Sequence, residues 1–401
     1  MTIRSVLAGA GALALVASPV AAAPKQYGPG VTDSEIKLGQ TMPYSGPAST
    51  YGVTGMVEGA FFKEINDKGG INGRRIDFIS LDDAYSPPKS LEQTRRLVEQ
   101  EEVFAIYGSL GTAPSSAVHK YANGKKVPHI MLSTGAVKWN DPKAYPWTMA
   151  FYPLYDAEGA IHARHVLSAR PNGKIAILAQ NDDSGRDYVR GFKEGLGDKA
   201  KTMIVAEATY EVTDPTVDSQ ILKLKASGAD VLFNMSTPKF AAQAIRKVHE
   251  IDWKPLHMLV SVANSVGGVI KPAGFDKAQG IVTVAYSKVP LDPLWKDDPV
   301  MQEYAAFMKR NGLEGRMIES SAVLGYISAH MMAKLLERCG DELTRENLMK
   351  QVASIDEATL PMLLPGISVK TTPDNFSAFR TLRLQRFAGE SWELFGEPIT
   401  D

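Results

Sequence analysis

The chain has 401 residues, a formal net charge of −1 and a single cysteine, Cys339. A charge so close to neutral argues against partners that are strongly charged, such as nucleic acid or an anionic membrane surface. One cysteine cannot form an internal disulfide, so the stability of the fold has to come from its core. The length suggests two domains of ordinary size.

The first residues have the pattern of an export signal rather than of a folded element. Arg4 precedes an apolar run from Val6 to Val16, and small residues follow Pro19. This run is too short and wrongly flanked to span a bilayer as a stable anchor. We therefore expect residues 1–22 to be a signal peptide that is removed on export, and the mature protein to be located in the periplasm.

The rest of the chain alternates between apolar strands and amphipathic helices. The helical spacing of Val53, Val57, Phe61 and Ile65, for example, predicts a helix after the first strand. Strands separated by helices form parallel βαβ units with right-handed crossovers. The predicted strands are IKLGQTM, RIDFISL, VFAIYG, HIMLS, WTMAFYP, KIAILAQ, MIVAEATY, ADVLFNM, LHMLVSV and GIVTVAYS.

This alternation starts again at WTMAFYP, which indicates two α/β units of similar size in tandem. Two long helices are expected after the second unit, around 301–310 and 321–337. The tail RTLRLQRFAGESWELFG predicts a β-hairpin with its turn at Ala388 and Gly389.

Motifs for catalysis are missing from this pattern. There is no G-x-S-x-G elbow and no phosphate-binding G-x-x-x-x-G-K-[ST] loop. Glu158, His162 and His165 share one helix and could ligate a metal, but a solvated helix face is the interpretation that we favour. The pair Asp182 and Asp183 follows a strand, where capping of a helix is the commoner use. We expect a protein that is not an enzyme and holds neither metal nor cofactor.

Small and hydroxyl-bearing residues follow three strands of the first unit. In open α/β sheets, ligands bind at the carboxyl ends of the strands. Backbone N–H groups, Ser and Thr hydroxyls and a helix N-terminus together suit a carboxylate, although such loops can also serve only to cap their own helices. The three strand ends are TMPYSG with Tyr44 and Ser45, YGSLGT with Ser109 and Thr112, and LSTGA with Ser133, Thr134 and Gly135.

The stretch INDKGGINGRRIDFISLDDAYSPPKSLEQTRRLV resembles the signature of periplasmic binding proteins of the branched-chain amino-acid (Leu/Ile/Val-binding) type. These proteins are the solute-binding components of ABC importers. YGSLGTAPSSAV, VPHIMLSTGA, DDSGRDYVRGF and TDPTVDSQILKLKASGADVLF match the family in the same order, so the resemblance covers nearly the whole mature chain.

The resemblance implies an α/β fold of two Rossmann-like lobes with parallel sheets, joined by a three-segment hinge (a type I periplasmic binding protein). Lobe 1 would comprise residues 23–153 and 287–360, and lobe 2 residues 154–286 and most of 361–401. The ligand would bind between the lobes and be delivered to membrane permease subunits. The protein is expected to be a monomer.

The family binds its ligand's carboxylate on lobe 1, and matching loop to loop assigns that role to Thr112, Ser133, Thr134 and Gly135. The complete set of expected ligand-binding residues is Tyr44, Ser109, Leu110, Thr112, Ser133, Thr134, Gly135, Tyr152, Asp183, Ser184, Ser236, Thr237 and Asn264.

Two departures from the family bear on the ligand. Amino-acid binders close lobe 2 with an aromatic residue where this chain has Ser184, and they pair the ligand's ammonium with an acid in the loop that here reads 261–264, SVAN. A buried ammonium without a counter-charge is costly. Tyr44, Phe151 and Tyr152 supply rings instead. We therefore predict a small carboxylate with an apolar or aromatic body; the alternatives are a branched-chain amino acid, or a ligand sensor of the same fold without transport.

Overall fold

A computed structural model describes residues 25–290 and 292–400 of the chain. The predicted signal peptide at 1–22 lies outside the described residues. Among the helices within them, none is both long enough and apolar enough to cross a membrane.

The elements are numbered here in chain order, leaving out strands of two residues and helices shorter than eight. The strands are β1 Glu35–Met42, β2 Arg75–Asp82, β3 Ala105–Tyr107, β4 His129–Leu132, β5 Thr148–Ala150, β6 Ile175–Gln180, β7 Ile204–Tyr210, β8 Val231–Met235, β9 Leu256–Leu259, β10 Val282–Ala285, β11 Thr381–Ala388 and β12 Ser391–Thr400. The helices are α1 Val53–Asp67, α2 Pro87–Glu99, α3 Thr112–Gly124, α4 Tyr155–Ala169, α5 Asp183–Leu196, α6 Asp218–Ala226, α7 Pro238–Glu250, α8 Pro299–Arg310, α9 Ser320–Cys339 and α10 Arg345–Val352.

The strands form two separate large sheets, which we call the sheets of lobe 1 and lobe 2. The first has the order β2-β1-β3-β4-β5 and is parallel throughout. The second has the order β12-β11-β10-β9-β8-β6-β7, and only the C-terminal hairpin β11–β12 runs antiparallel to its neighbours. The predicted fold class, α/β with parallel sheets in two Rossmann-like lobes, is confirmed, and so is the hairpin.

The burial of the strands explains their composition. Every residue of β6, IAILAQ, and of β8, VLFNM, is buried. Parallel strands that are covered by helices on both faces read as nearly continuous apolar runs. Helices α4 and α5 can pack closely because a glycine lies at their contact. A Cβ at Gly191 would lie 2.0 Å from the carbonyl oxygen of Asp156.

The topology fixes where a ligand can bind. In each lobe, the first strand of the unit has the second strand on one side and the third on the other, so the order within the unit is 2-1-3-4-5. The crossover helices then leave on opposite faces of the sheet, which opens a crevice at the carboxyl ends of the first and third strands. These are β1 and β3 in lobe 1, and β6 and β8 in lobe 2.

Within residues 25–290 and 292–400, the chain passes between the two sheets three times. The first passage, 151–154, connects β5 to α4, and the second begins at Tyr286 after β10. Helix α9 then packs on α1, where the hydroxyl of Thr54 donates a 3.0 Å hydrogen bond to the carbonyl of Ser321. The third passage, which the sequence did not locate, lies between Lys370 and Thr381.

Candidate functional site

A cleft lies between the strand ends of the two lobes and encloses about 960 Å³, part of it continuous with solvent. Lobe 1 lines it with Tyr51, Thr54, Tyr85, Leu110, Gly111, Thr112 and Ser133, and also with Ile318, Ser320, Ser321, Val323 and Leu324 from the region where α9 begins. Lobe 2 and the interlobe passages add Tyr152, Tyr155, Ser184, Met235, Thr237, Ser261, Val262, Asn264, Val266, Ala285, Tyr286, Ser287, Lys288, Val289, Pro290, Gln385 and Trp392.

The N-terminus of α3 opens onto this cleft without a side-chain cap. Gly111 precedes the helix with φ of 99°, a conformation that favours glycine, and a Cβ there would lie 2.4 Å from the ring of Tyr85. The first hydrogen bond of the helix runs from the N–H of Ser115 to the carbonyl of Gly111, so the N–H groups of Thr112 and Ala113 have no acceptor within the helix. Free N–H groups and the positive end of the helix dipole attract an anion.

Ser133 adds a free hydroxyl beside this helix end. Its backbone is fixed by hydrogen bonds from its own N–H to Ser109 (3.0 Å) and from the N–H of Gly111 to its carbonyl (3.3 Å). Its hydroxyl is buried and has no hydrogen-bond partner in the protein. Ser133 and the N-terminus of α3 therefore form a set of unused donors, which we call the anion cradle.

Thr134 does not share this role. The hydroxyls of Thr134 and Thr112 are 2.7 Å apart, and Thr134 also accepts a hydrogen bond of 3.2 Å from the N–H of Ala136. The two threonine hydroxyls thus bond to each other. Thr134 also lies outside the cleft lining, so in LSTG the serine supplies the hydroxyl that reaches a ligand.

Two hydroxyls on the lobe 2 wall, those of Ser184 and Thr237, are occupied in the same way. Asp182 caps α5 by accepting hydrogen bonds from the N–H of Gly185 (3.0 Å) and from the hydroxyl of Ser184. The N–H of Thr237 donates to the hydroxyl of Tyr210 (2.9 Å), and the Thr237 hydroxyl donates to Gln180 at 3.3 Å. Neither Ser184 nor Thr237 therefore has a hydroxyl hydrogen left for a ligand.

Five tyrosines surround the cleft: Tyr51, Tyr85, Tyr152, Tyr155 and Tyr286. Burial raises the pKa of each phenol above its ordinary value, to about 12 for Tyr155. All five therefore stay neutral at physiological pH. Tyr51 also joins the lobes, because its hydroxyl donates a 3.0 Å hydrogen bond to the carbonyl of Val262. Rings of this kind bind flat or apolar groups and exclude water.

None of the described residues that line the cleft is an aspartate or a glutamate. The lining contains one lysine, Lys288, and its ammonium is already paired with the carboxylate of Asp298 at 2.6 Å and lies 5.1 Å from the centre of the Trp295 ring. The cleft therefore has no acid in contact with a ligand's ammonium.

Glu158 is the acid behind this wall. Its carboxylate accepts hydrogen bonds of 2.6 Å from both the N–H and the hydroxyl of Ser261, and it lies 3.3 Å from the ring nitrogen of His162. Our interpretation of Glu158 and His162 as part of a solvated helix face is wrong, since both are fully buried where α4 packs on lobe 2. Glu158 holds Ser261 in place, and Ser261 in turn lies 3.0 Å from the hydroxyl of Tyr152.

Seven of the residues predicted to bind ligand lie together in the cleft lining. They are Leu110, Thr112, Ser133, Tyr152, Ser184, Thr237 and Asn264.

The other six lie outside the lining, and each of them has a hydrogen-bond partner within the protein. The hydroxyl of Tyr44 is 2.7 Å from that of Ser80. Asp183 pairs with Lys138 at 2.9 Å across the two lobes. Ser109 accepts hydrogen bonds from Thr41, and Ser236 donates one to Asn234. Gly135 lies beneath the ring of Tyr155. The six are Tyr44, Ser109, Thr134, Gly135, Asp183 and Ser236.

Sequence reasoning missed the parts of the lining that come from distant segments. Tyr51 and Tyr85 follow strand ends of lobe 1 and could have been found by extending each loop to its next aromatic residue. Tyr286 could have been found at the predicted hinge. No local signal marks Gln385 or Trp392, which reach the cleft only because the hairpin joins the second sheet.

Two lobes around a cleft with an anion cradle and an aromatic wall define a solute-binding protein. Residues 35–390 match the sequence profile described as "Periplasmic binding protein", and the chain belongs to that family. Proteins of this family bind small solutes in the periplasm and deliver them to ABC permeases, and several relatives of this chain are named Leu/Ile/Val-binding protein homologs. The predicted family and function class are confirmed.

Individual proteins show the same relationship. The chain is 25% identical over 284 residues to Leu/Ile/Val-binding protein homolog 7 of Brucella abortus, covering 65% of this chain and 69% of the relative. A branched-chain amino acid ABC transporter protein from Thermus thermophilus, solved with bound valine, superposes with a TM-score of 0.82 at 15% identity, covering 92% and 98% of the two chains. A solute-binding protein from R. palustris, solved with benzoate, has a TM-score of 0.76 at 19% identity, with the same coverage.

Proposed function

We propose that this protein captures a small carboxylate with an aromatic or other apolar body and without an α-amino group. The ligand binds in the interlobe cleft, is not chemically changed, and is handed to the permease of an ABC importer. The protein acts in the periplasm as a monomer, after removal of residues 1–22. The observation that carries this proposal is a cleft that combines free anion donors with five tyrosines and, in the described lining, no acid.

The anion cradle supports the carboxylate. Ser133 and the N–H group of Thr112 are unused donors in the cleft lining, and Lys288 is neutralised by Asp298. Hydrogen bonds to a charged acceptor are worth more than neutral ones, because the charge is concentrated on few atoms. Binding through N–H groups and a hydroxyl also leaves no buried counter-ion when the cleft is empty.

The lack of an acid in the lining argues against an ammonium on the ligand. Glu158 already accepts three hydrogen bonds, from the N–H and hydroxyl of Ser261 and from the hydroxyl of Tyr188. To reach a ligand's ammonium it would have to release Ser261. An ammonium in this cleft would therefore be desolvated without a counter-charge, which is costly.

A branched-chain amino acid is the second candidate. The observation in its favour is the family itself, in which the Brucella relative is named a Leu/Ile/Val-binding protein homolog and the Thermus thermophilus structure contains valine. The benzoate complex of the R. palustris protein shows that the same fold accepts an aromatic acid. The two candidates differ in one group, the ammonium, and that group can be tested directly.

A paired ligand panel separates these candidates. We expect phenylacetate, 3-phenylpropanoate or 4-methylpentanoate to raise the melting temperature, and their amino counterparts phenylglycine, phenylalanine and leucine to have little effect. A ligand at about 100 times its Kd stabilises the protein by about 2.7 kcal/mol, which thermal shift resolves readily. Stabilisation by leucine, isoleucine or valine alone would contradict the proposal. Loss of a bound acid over time, followed by mass spectrometry, would show an enzyme instead.

Replacing the cradle hydroxyl tests the carboxylate assignment. Ser133→Ala is expected to weaken the bound acid by about 1.5–3 kcal/mol, because a hydrogen bond to a charged group is lost. The unliganded protein should keep its melting temperature, since the Ser133 hydroxyl has no partner within the protein. Titration calorimetry on Ser133→Ala gives the affinity, with Ser219→Ala on the exposed start of α6 as the matched control. Equal affinities for both variants would remove Ser133 from the site.

A further inference from the structure

The C-terminal hairpin carries a second polar feature of the cleft. Gln385, on β11, lines the cleft and is almost completely buried, yet its amide oxygen has no hydrogen-bond partner. A buried acceptor that is left unpaired costs free energy, so an unpaired one in a binding cleft indicates a missing donor.

The orientation of this amide is fixed by its neighbours. The nitrogen of Gln385 faces the carbonyl of Val284 at 3.5 Å. Turning the amide over would bring its oxygen against that carbonyl, which is unfavourable because both are acceptors. The oxygen is therefore the atom of Gln385 that remains for a ligand.

The surroundings of Gln385 suit one kind of group. Thr283 lies directly opposite it in the β10–β11 pair, and its buried hydroxyl also has no partner. Residues that oppose each other in an antiparallel pair project from the same face of the sheet. Thr283 is outside the cleft lining, so the unpaired oxygen of Gln385 is the atom that a ligand reaches, and it matches a group that donates a hydrogen bond, as the hydroxyl of an alcohol or a phenol does.

The strand order separates this feature from the anion cradle. Ser184 follows β6 and Thr237 follows β8. These strand ends lie close to the loops of lobe 1, because Asp183 beside Ser184 pairs with Lys138 of lobe 1 at 2.9 Å. Strand β11 is three positions further along the sheet than β8. At about 4.8 Å per strand, this is a lateral distance on the order of 14 Å. Trp392 lines the cleft next to Gln385, and its indole N–H donates to the carbonyl of Asn264 at 2.8 Å.

We infer that Gln385 forms a second polar subsite, which binds a hydroxyl group at the end of the ligand opposite its carboxylate. The ligand class is thus an elongated hydroxylated acid whose body lies along the aromatic wall. This inference rests on the proposed function, because it takes the carboxylate to occupy the anion cradle. Within that function, Gln385 determines specificity.

The test compares two acids that differ only in the terminal hydroxyl. Wild-type protein is expected to bind 4-hydroxycinnamate about tenfold more tightly than cinnamate, the effect of one hydrogen bond to a buried acceptor. Gln385→Met keeps the length of the side chain and removes the acceptor, so the two acids should then bind equally. Gln243→Met on α7 is the matched control, since that amide oxygen also has no partner but lies outside the cleft lining; it should keep the tenfold preference.

The possible results distinguish a failure of the second subsite from a failure of the proposed function. The preference is a ratio of two affinities on one protein, so a partly misfolded Gln385→Met sample does not alter it. If neither acid nor any other carboxylate binds the wild type, the proposed function fails. If acids bind but wild type has no preference for the hydroxyl, or if Gln385→Met keeps the preference, the second subsite is wrong and the proposed function stands.

Discussion

Glu58→Gln is expected to become progressively more stable than the wild-type protein as the pH rises from about 5 to 8. Glu58 lies on α1 and is completely buried in lobe 1. Its carboxyl group accepts hydrogen bonds from the amide of Gln40 at 2.5 Å and from the hydroxyl of Tyr107 at 2.9 Å. Burial nevertheless dominates and raises the pKa of Glu58 from 4.5 to about 8.

The sign of the effect follows from proton binding. Between pH 4.5 and about 8 the unfolded chain has lost the proton of Glu58 whereas the folded chain retains it. Stability from this group is therefore complete below pH 4.5 and is lost as the pH rises, by up to about 1.4 kcal/mol per pH unit, until the loss levels off above about 8. Glutamine has no proton to lose. Changes in its hydrogen bonds to Gln40 and Tyr107 shift the curve by a constant amount and leave its slope unchanged.

Urea unfolding midpoints of both proteins at a series of pH values between 5 and 9 measure this difference. Subtracting wild type from variant cancels the titration of the other groups. The exposed Glu390, in the turn of the hairpin, provides the control, and Glu390→Gln should follow wild type at every pH. A difference between Glu58→Gln and wild type that stays the same from pH 5 to 8 would mean that Glu58 is ionised throughout this range in the folded protein.

The sequence revealed the cradle side of the site because strand ends have a regular geometry. Parallel strands end at one edge of a sheet, so Leu110, Thr112 and Ser133 had to meet if the strand predictions were right. Thr237 and Ser184 follow from the same argument in lobe 2. The order of strands inside each lobe did not need to be known for this step.

Side-chain direction at those strand ends could not be predicted in the same way. Asp182 and Asp183 are adjacent, yet Asp182 turns back to cap α5 and Asp183 turns outward to Lys138. Thr134 is next to Ser133, but its hydroxyl bonds to Thr112. Each choice depends on which partner is within about 3 Å, and that depends on the folded backbone rather than on the spacing of residues.

The far end of the cleft depends on long-range topology. Gln385 follows Ser133 by more than two hundred residues, and it reaches the site only because the third passage returns the chain to lobe 2 beside β10. A hairpin can be predicted from its local sequence pattern, but packing decides which sheet edge the hairpin joins. The aromatic wall could not be predicted either, because from the sequence alone a tyrosine at a strand end is as consistent with a core position as with a position in the lining.

Gly135→Ala is expected to reduce both stability and ligand binding strongly. The loop that contains Gly135 lies against the first passage between the lobes, and a Cβ at this position would be 1.9 Å from the carbonyl oxygen of Pro153 and 2.7 Å from the ring of Tyr155. The N–H of Tyr155 donates to the carbonyl of Gly135 at 3.0 Å, so the two segments cannot separate without breaking a hydrogen bond. Inserting a methyl group where there is no space typically costs about 1–3 kcal/mol, and more where backbone must move.

Binding should be lost together with stability, because the displaced atoms belong to the site. Ser133 lies two residues before Gly135, and Tyr155 lies on the other side of the contact. Both Ser133 and Tyr155 line the cleft. Gly124→Ala at the end of α3 is the control: nothing lies within 4 Å of its Cβ, so melting temperature and affinity should match wild type or rise slightly. Thermal unfolding and titration with the best acid of the paired panel measure both effects. If Gly135→Ala behaves like Gly124→Ala, the LSTG loop is not packed against Pro153. This contact would then not be what positions Ser133 relative to the aromatic wall.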